Sequence, residues 1–149
     1  MIDIDSRKPF PAGDLSNFAA HTFVFDGIAC ASMEGFLQSL KFQDIPEQTR
    51  VCGLVGWNAK KAGFSAPDWR IKRILYWKGR AIFRESLDYQ ILLDEAYDAL
   101  SQNQDFQKAL LATGDEPLVH SIGKTDFKET ILTTDELCSR LIYLRNKLK

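Results

Sequence analysis

A chain of 149 residues, 45% of them hydrophobic, is long enough to bury a core and too apolar to stay disordered. Its formal net charge of −1 gives no global attraction to nucleic acid. No stretch approaches the ~18 apolar residues of a membrane span, and the acidic start Met1-Ile2-Asp3-Ile4-Asp5 argues against a secretory leader. The three cysteines, Cys30, Cys52 and Cys138, are spaced too widely for a zinc knuckle and sit in apolar surroundings. Buried free thiols and a reducing, cytoplasmic setting are therefore expected.

In chain order, Met1–Pro11 reads as an edge strand or an extended arm. Gly13–Asn17 is a loop. Thr22–Phe25 and Ile28–Cys30 form a hairpin around Asp26-Gly27, a pair suited to a tight turn. A helix is predicted from about Ser32 to Phe42, with Ser32 as N-cap and Glu34 in the first turn. Pro46 can open a second helix to about Leu54. Trp57–Ala62 is a further short helix with Gly63 as its C-cap. Arg70–Trp77 fits helix or strand equally, and Lys78-Gly79 suggests a hairpin with Ala81-Ile82-Phe83. Ser86–Leu100 carries a broad apolar helical stripe. Asn103 or Asp105 caps a helix over Phe106–Leu111, and Leu118–Ser121 is a short strand. Thr133 and Glu136 have capping-box spacing ahead of a C-terminal helix bearing Leu137, Leu141, Leu144 and Leu148. With no repeat and no linker, the pattern implies one α+β domain over residues 1–149, mainly helical with a small β component.

The candidate chemistry centres on the first helix. Glu34, Gln38 and Lys41 fall at i, i+4 and i+7 and share one face beside an apolar arc of Met33, Phe36, Leu37 and Leu40. The helix dipole favours an ionised Glu34, suited to activating water or stabilising a cation; a helix-capping acid is the plainer reading. Asp126 lies in an irregular segment, where catalytic acids and ordinary turn aspartates both occur. Trp69 can stack on a planar ligand or fill the core margin. Asn17 can anchor a sugar or close an Asx-turn. A basic run of Lys60, Lys61, Arg70, Lys72 and Arg73 reads as a solvated face or a local basic patch. The phosphate-binding loop, the dinucleotide glycine fingerprint, the zinc-protease helix and the nucleophile elbow are all missing, and two distant histidines make a weak metal site.

Leu15-Ser16-Asn17-Phe18, the Asp26-Gly27 turn and Ser32-x-Glu34-x-x-x-Gln38-x-x-Lys41-Phe42 together resemble the opening of the NADAR (YbiA-like) family. Ala59-Lys60-Lys61-Ala62-Gly63, Pro67-Asp68-Trp69, Ala96-Tyr97-Asp98-Ala99-Leu100, Leu110-Leu111-Ala112-Thr113-Gly114 and Leu141-x-x-x-Arg145 continue it in order. The resemblance implies a YbiA-like fold and cleavage of N-glycosidic bonds. It places Glu34, Trp69 and Asp126 at active-site positions, with Asn17, Gln38 and Lys41 lining the pocket. The chain departs from the family pattern at Gly35, where histidine is usual, at His120, where glutamate is usual, and at Phe127-Lys128, where a Trp-Gly pair is usual. Arg70–Leu87 is longer than the usual connection, as an inserted hairpin would be.

The resulting expectation is a Glu34-centred, metal-independent N-glycosidase, with Asp126 as acid–base partner and no cofactor. Its substrate would be a phosphorylated riboflavin-pathway intermediate or an ADP-ribose-linked compound. Glu34 or Asp126 would stabilise positive charge developing on the ribose, Trp69 would stack on the base, and Lys41 and Lys60 would meet phosphate. The expected partner is a small nucleotide-like or ribosyl-phosphate ligand, with ADP-ribosylated nucleic acid a further candidate, and no membrane. The alternative is a non-catalytic module that binds ADP-ribose or a nucleotide.

Overall fold

The first α-helix, α1 (Met33–Ser39), is buried over most of its surface, and the other elements close over it. The computed structural model describes residues 1–149. Ser32 caps α1 by accepting the Gly35 N–H at 3.0 Å and donates its own hydroxyl hydrogen to the Leu54 carbonyl at 2.8 Å. Phe36, Leu37 and Leu40 are buried. Around Phe36 stand Phe25 and Trp77, each with its ring centroid 5.3 Å away. Phe25 belongs to the hairpin β2 (Phe23–Phe25) and β3 (Ile28–Cys30), which follows β1 (Ile2–Asp3). Trp77 belongs to the hairpin β4 (Ile74–Trp77) and β5 (Arg80–Phe83), paired in register from Ile74–Phe83 to Trp77–Arg80. Trp77 Nε1 donates to Asp26 Oδ2 at 2.9 Å, so the turn of one hairpin holds the ring of the other.

Helix α2 (Ile45–Cys52) is capped by Asp44 and packs across α1, as does α3 (Gly56–Phe64). Gly35 permits the α1–α2 approach. A Cβ there would stand 2.5 Å from the Leu54 carbonyl oxygen and 2.9 and 3.0 Å from those of Cys52 and Val51. Gln48, buried on α2, donates to the carbonyls of Ser39, Phe42 and Tyr76 and accepts from the Lys78 N–H. One amide thereby satisfies the open end of α1 and fixes the β4–β5 hairpin to it.

The ambiguous Arg70–Trp77 segment divides into a turn of helix, α4 (Trp69–Lys72), and strand β4, with Arg73 between them at φ 62°. Gly63 is a correction: it lies within α3, and Ser65 is the C-cap. The long helices α5 (Leu87–Leu100) and α7 (Thr134–Leu148), with α6 (Gln104–Ala112), form the other side of the core. Asn103 caps α6, and the Thr133–Glu136 capping box is formed in both directions. Strand β6 (Leu118–Val119) pairs in parallel with β1, which sets residues 4–7 beside His120. The architecture is α+β, with seven α-helices, a short 3-10 turn at Gly13–Leu15 within the segment expected as loop, and three two-stranded sheets.

Candidate functional site

A cavity of about 650 Å³ opens between α1, α3, the loop at Ser16–Phe18, residues 4–7 and the segment from His120 to Thr133. This is a normal size for a small-molecule site. Asn17, Glu34, Gln38, Lys41, Lys60 and Trp69 all line it. Asp126 does not. It is exposed in a turn, where its Oδ1 accepts from the Lys128 N–H at 2.9 Å and its carbonyl accepts from Glu129. Phe127 is also outside the lining and packs under Arg73. The carboxylate and histidine that this segment does bring to the cavity are Glu129 and His120.

Glu34 stands in the first turn of α1, its backbone N–H donating to the Asn17 carbonyl at 3.0 Å. Its Oε1 accepts from Gln38 Nε2 at 2.9 Å, an i, i+4 bond along the helix. Burial pushes the Glu34 carboxyl above its ordinary value; the Gln38 bond and the charges of Lys60 and Lys41 oppose this and are outweighed. Desolvation thus works against the ionised form that the helix dipole favours. Burial likewise lowers the Lys41 ammonium, against the attraction of Glu34 and Asp68.

Gln38 is 6% exposed, and its Oε1 has no hydrogen-bond donor. That oxygen lies against Gly63 of α3, where an added Cβ would collide with it and stand 3.2 Å from Lys41 Nζ. Gly63 therefore supplies the space in which Gln38 and Lys41 lie between the two helices. The missing side chain at Gly35 has no part in the cavity, since its Cα faces the carbonyls of α2. The loop residue Asn17 is fixed by Tyr97 of α5, whose buried hydroxyl donates to Asn17 Oδ1 at 2.8 Å. The Asn17 amide N–H groups remain for a ligand.

His120 Nδ1 lies 2.7 Å from the Ile4 carbonyl oxygen. A carbonyl only accepts, so Nδ1 carries hydrogen and Nε2 of the neutral ring keeps its lone pair. Gly123 leaves room for that edge of the ring, because a Cβ there would collide with Cδ2 and stand 3.0 Å from Nε2.

The charges on the wall do not cancel. Arg7 is bound to Asp5, whose carboxyl the Arg7 hydrogen bonds hold far below the usual range. Glu129 pairs with Arg70 at 3.2 Å. Lys41, Lys60 and Lys124 have no carboxylate within ion-pair distance, and Glu34 is the remaining acid. The basic run noted in the sequence divides: Arg70 pairs with Asp68 and Glu129, and Arg73 with Glu85, while Lys60 faces the cavity. No group of three or more His, Cys, Asp or Glu side chains is placed to hold a metal ion.

Two residues without a functional reading in the sequence also line the cavity, Trp57 and Phe64 of α3. With Lys60 they fall at i, i+3 and i+7, a signal that was available. Trp69, by contrast, is 8% exposed and offers a ligand little surface.

Comparison with known proteins fits this architecture. The structure of the E. coli protein YbiA, determined by NMR, matches with a TM-score of 0.61 over 99% of this chain and 86% of that chain, at 22% identity. The fold is therefore YbiA-like. No helix is long and apolar enough to cross a membrane. An uncharacterized 17.1 kDa protein from the Gp30–rIII intergenic region of Enterobacteria phage T4 is 38% identical over 149 residues, spanning 99% of this chain and 98% of that protein. The family model described as Bacteriophage protein GP30.3, a label related to but different from the one the sequence motifs resemble, matches residues 9–146, and the chain belongs to that family.

Proposed function

We propose that the cavity binds a ribosyl phosphate carrying a planar base and hydrolyses its C1′–N bond. The observation that carries this reading is the part-buried Glu34–Gln38 pair under the charges of Lys60 and Lys41, in a cavity also lined by Lys124, with no carboxylate in ion-pair contact with any of the three lysines. The lysines suit a phosphate, and Asn17 suits ribose hydroxyls. As the C1′–N bond breaks, its electron pair leaves with the base and positive charge develops on the ribose ring. An ionised Glu34 opposes that charge and takes a proton from the attacking water, whose oxygen bonds to C1′. The leaving nitrogen needs a proton. Asp126 lies outside the cavity, so the role passes to His120, which when protonated at Nε2 can donate there. A phosphorylated riboflavin-pathway intermediate and an ADP-ribose-linked compound are the substrate candidates.

The test is release of free base from a panel of riboflavin-pathway intermediates, NAD, ADP-ribose and guanine-linked ADP-ribose. Turnover by the native protein that disappears in Glu34→Gln and falls in His120→Asn supports the enzyme. The position of Asp126 favours a second reading, a non-catalytic nucleotide-binding module. Saturable binding with no turnover on any member of the panel selects that reading and rejects hydrolysis.

A further inference from the structure

Trp57 and Phe64 are 57% and 65% exposed, yet both line the cavity. Their rings meet edge to face, with centroids 6.1 Å apart and an interplanar angle of 77°. In that arrangement one ring lends only its edge, so aromatic faces stay open beside the cavity. Lys60, one helical turn from each, places Nζ 5.9 Å from the Trp57 centroid. The opposite side of α3 is fixed, because Ala59 and Gly63 are buried there. The pair thus stands on a helix seated against α1 and is not carried by a loop.

The other tryptophans do not share this position. Trp77 is packed against Phe25 and Phe36 and donates to Asp26. Trp69 is buried at the start of α4. Two large aromatic rings left in water next to a lysine make a surface that stacking on a flat, electron-poor ring would cover. The charges agree, since Lys60 beside these rings, and Lys124 elsewhere on the same cavity, have no ion-pair carboxylate and suit the phosphate that such a ring carries in a nucleotide.

We infer that Trp57 and Phe64 form a stacking subsite for the heteroaromatic base of a nucleotide ligand, with Lys60 at the adjoining phosphate. This rests on the reading of the cavity as a ribosyl-phosphate site and goes beyond it by assigning base recognition to α3 in place of Trp69. The subsite selects for the base; the Glu34–Gln38–Lys41 wall holds the ribosyl phosphate whatever base it bears.

The test compares adenosine monophosphate with ribose 5-phosphate, which lacks the base, by calorimetry on the full chain. The native protein should bind the nucleotide more tightly. Trp57→Ala should weaken the nucleotide by about 5- to 150-fold, the usual effect of losing one base–aromatic stack, and leave ribose 5-phosphate unchanged. Trp57→Phe should restore most of the loss. In the native protein, acrylamide quenching of tryptophan fluorescence should fall on adding the nucleotide, because Trp57 is the exposed indole. Thermal unfolding should show that Trp57→Ala remains folded. Equal losses for both probes, an unchanged nucleotide affinity, or no native preference for the nucleotide overturns the subsite. Nucleotide binding that depends on Trp57 without base release sustains the subsite and rejects hydrolysis. Base release that persists in Trp57→Ala with an unchanged KM does the reverse.

Discussion

Arg84 at the end of β5 is 1% exposed, which makes it the most demanding charge in the molecule to lose. Its Nη1 and Nη2 donate to Glu136 Oε2 and Oε1 at 3.0 and 2.6 Å, Nε donates to the Thr130 carbonyl at 3.0 Å, and the guanidinium lies 4.7 Å from the Tyr89 ring centroid. Glu136 also accepts from Gln90 and from the Thr133 N–H. Removing one member of a buried pair costs about 3–5 kcal/mol, because the other is left desolvated and unpaired. For a chain of this length, at about 2–4 °C per kcal/mol, Arg84→Met should lower Tm by about 6–20 °C. Urea unfolding of Arg84→Met, Glu136→Gln and the double variant should give a coupling energy of about 1–3 kcal/mol. The pH dependence adds a sign. Burial raises the Glu136 carboxyl, but the bonds from Arg84, Gln90 and Thr133 outweigh it and leave the group below its ordinary 4.5. Its stabilising contribution is therefore present above pH 4.5 and lost as pH falls through the lowered value, and Arg84→Met should remove much of that acid sensitivity. A single-variant cost under about 1 kcal/mol, or a coupling near zero, would show that the pair does not anchor the Thr130–Thr133 wall as argued.

Glu34 has the opposite sign. Its carboxyl is raised above 4.5 by burial, so its contribution is present below that pH and lost as pH rises through the folded value. Glu34→Gln should be more stable than the native protein at pH 7 and no more stable at pH 4; urea midpoints across that range check it. Gly63→Ala would gain about 0.5–1 kcal/mol from helix propensity alone. Collision with Gln38 should reverse this, break the Glu34–Gln38 bond and weaken ligand binding; a stabilised variant with native affinity refutes the contact. Gly35→Ala meets backbone carbonyls that cannot rotate away, so it should cost about 1–3 kcal/mol in unfolding experiments, or more if α1 must move off α2.

Elements with strong local signals were legible in the sequence. Asp26-Gly27 marked a hairpin, Ser32 and Thr133 marked N-caps, and the leucine spacing marked α7. The Glu34–Gln38–Lys41 face was legible because i, i+4 and i+7 fix a helix side whatever packs on it. What stayed hidden depends on contacts distant in sequence. Gly63 reads as a helix stop until Gln38 occupies the space beside it. The space for a side chain at Gly35 is taken by the carbonyls of Val51, Cys52 and Leu54, which the sequence around Gly35 does not show. Tyr97 and Arg145 belong to motifs shared with the resembled family, Asn103 is an expected cap, and each has a structural bond to explain it. Tyr97 fixes Asn17, Asn103 caps α6, and Arg145 holds the Thr113–Glu116 turn. Asp126 and His120 exchanged prominence because the parallel pairing of β1 with β6, two residues long, decides which part of that segment faces the cavity.

Two partly buried carboxylates, Glu34 and Glu136, show how differently one chain treats the same group. Glu136 has a bidentate arginine, an amide and a backbone N–H, and it ends below its ordinary value. Glu34 has one amide bond and lysines acting at a distance, and it ends above. At Glu136 the chain supplies three donor residues, and at Glu34 one. Lys41 on the same wall is also pushed toward its neutral form. Leaving both groups under-solvated costs stability in the empty protein. In the proposed reaction that cost would be offset, because a phosphate and a developing cation would favour the charged forms of Lys41 and Glu34 that burial disfavours. A structural role alone gives no reason for that cost, and a site that completes its charges with a ligand does.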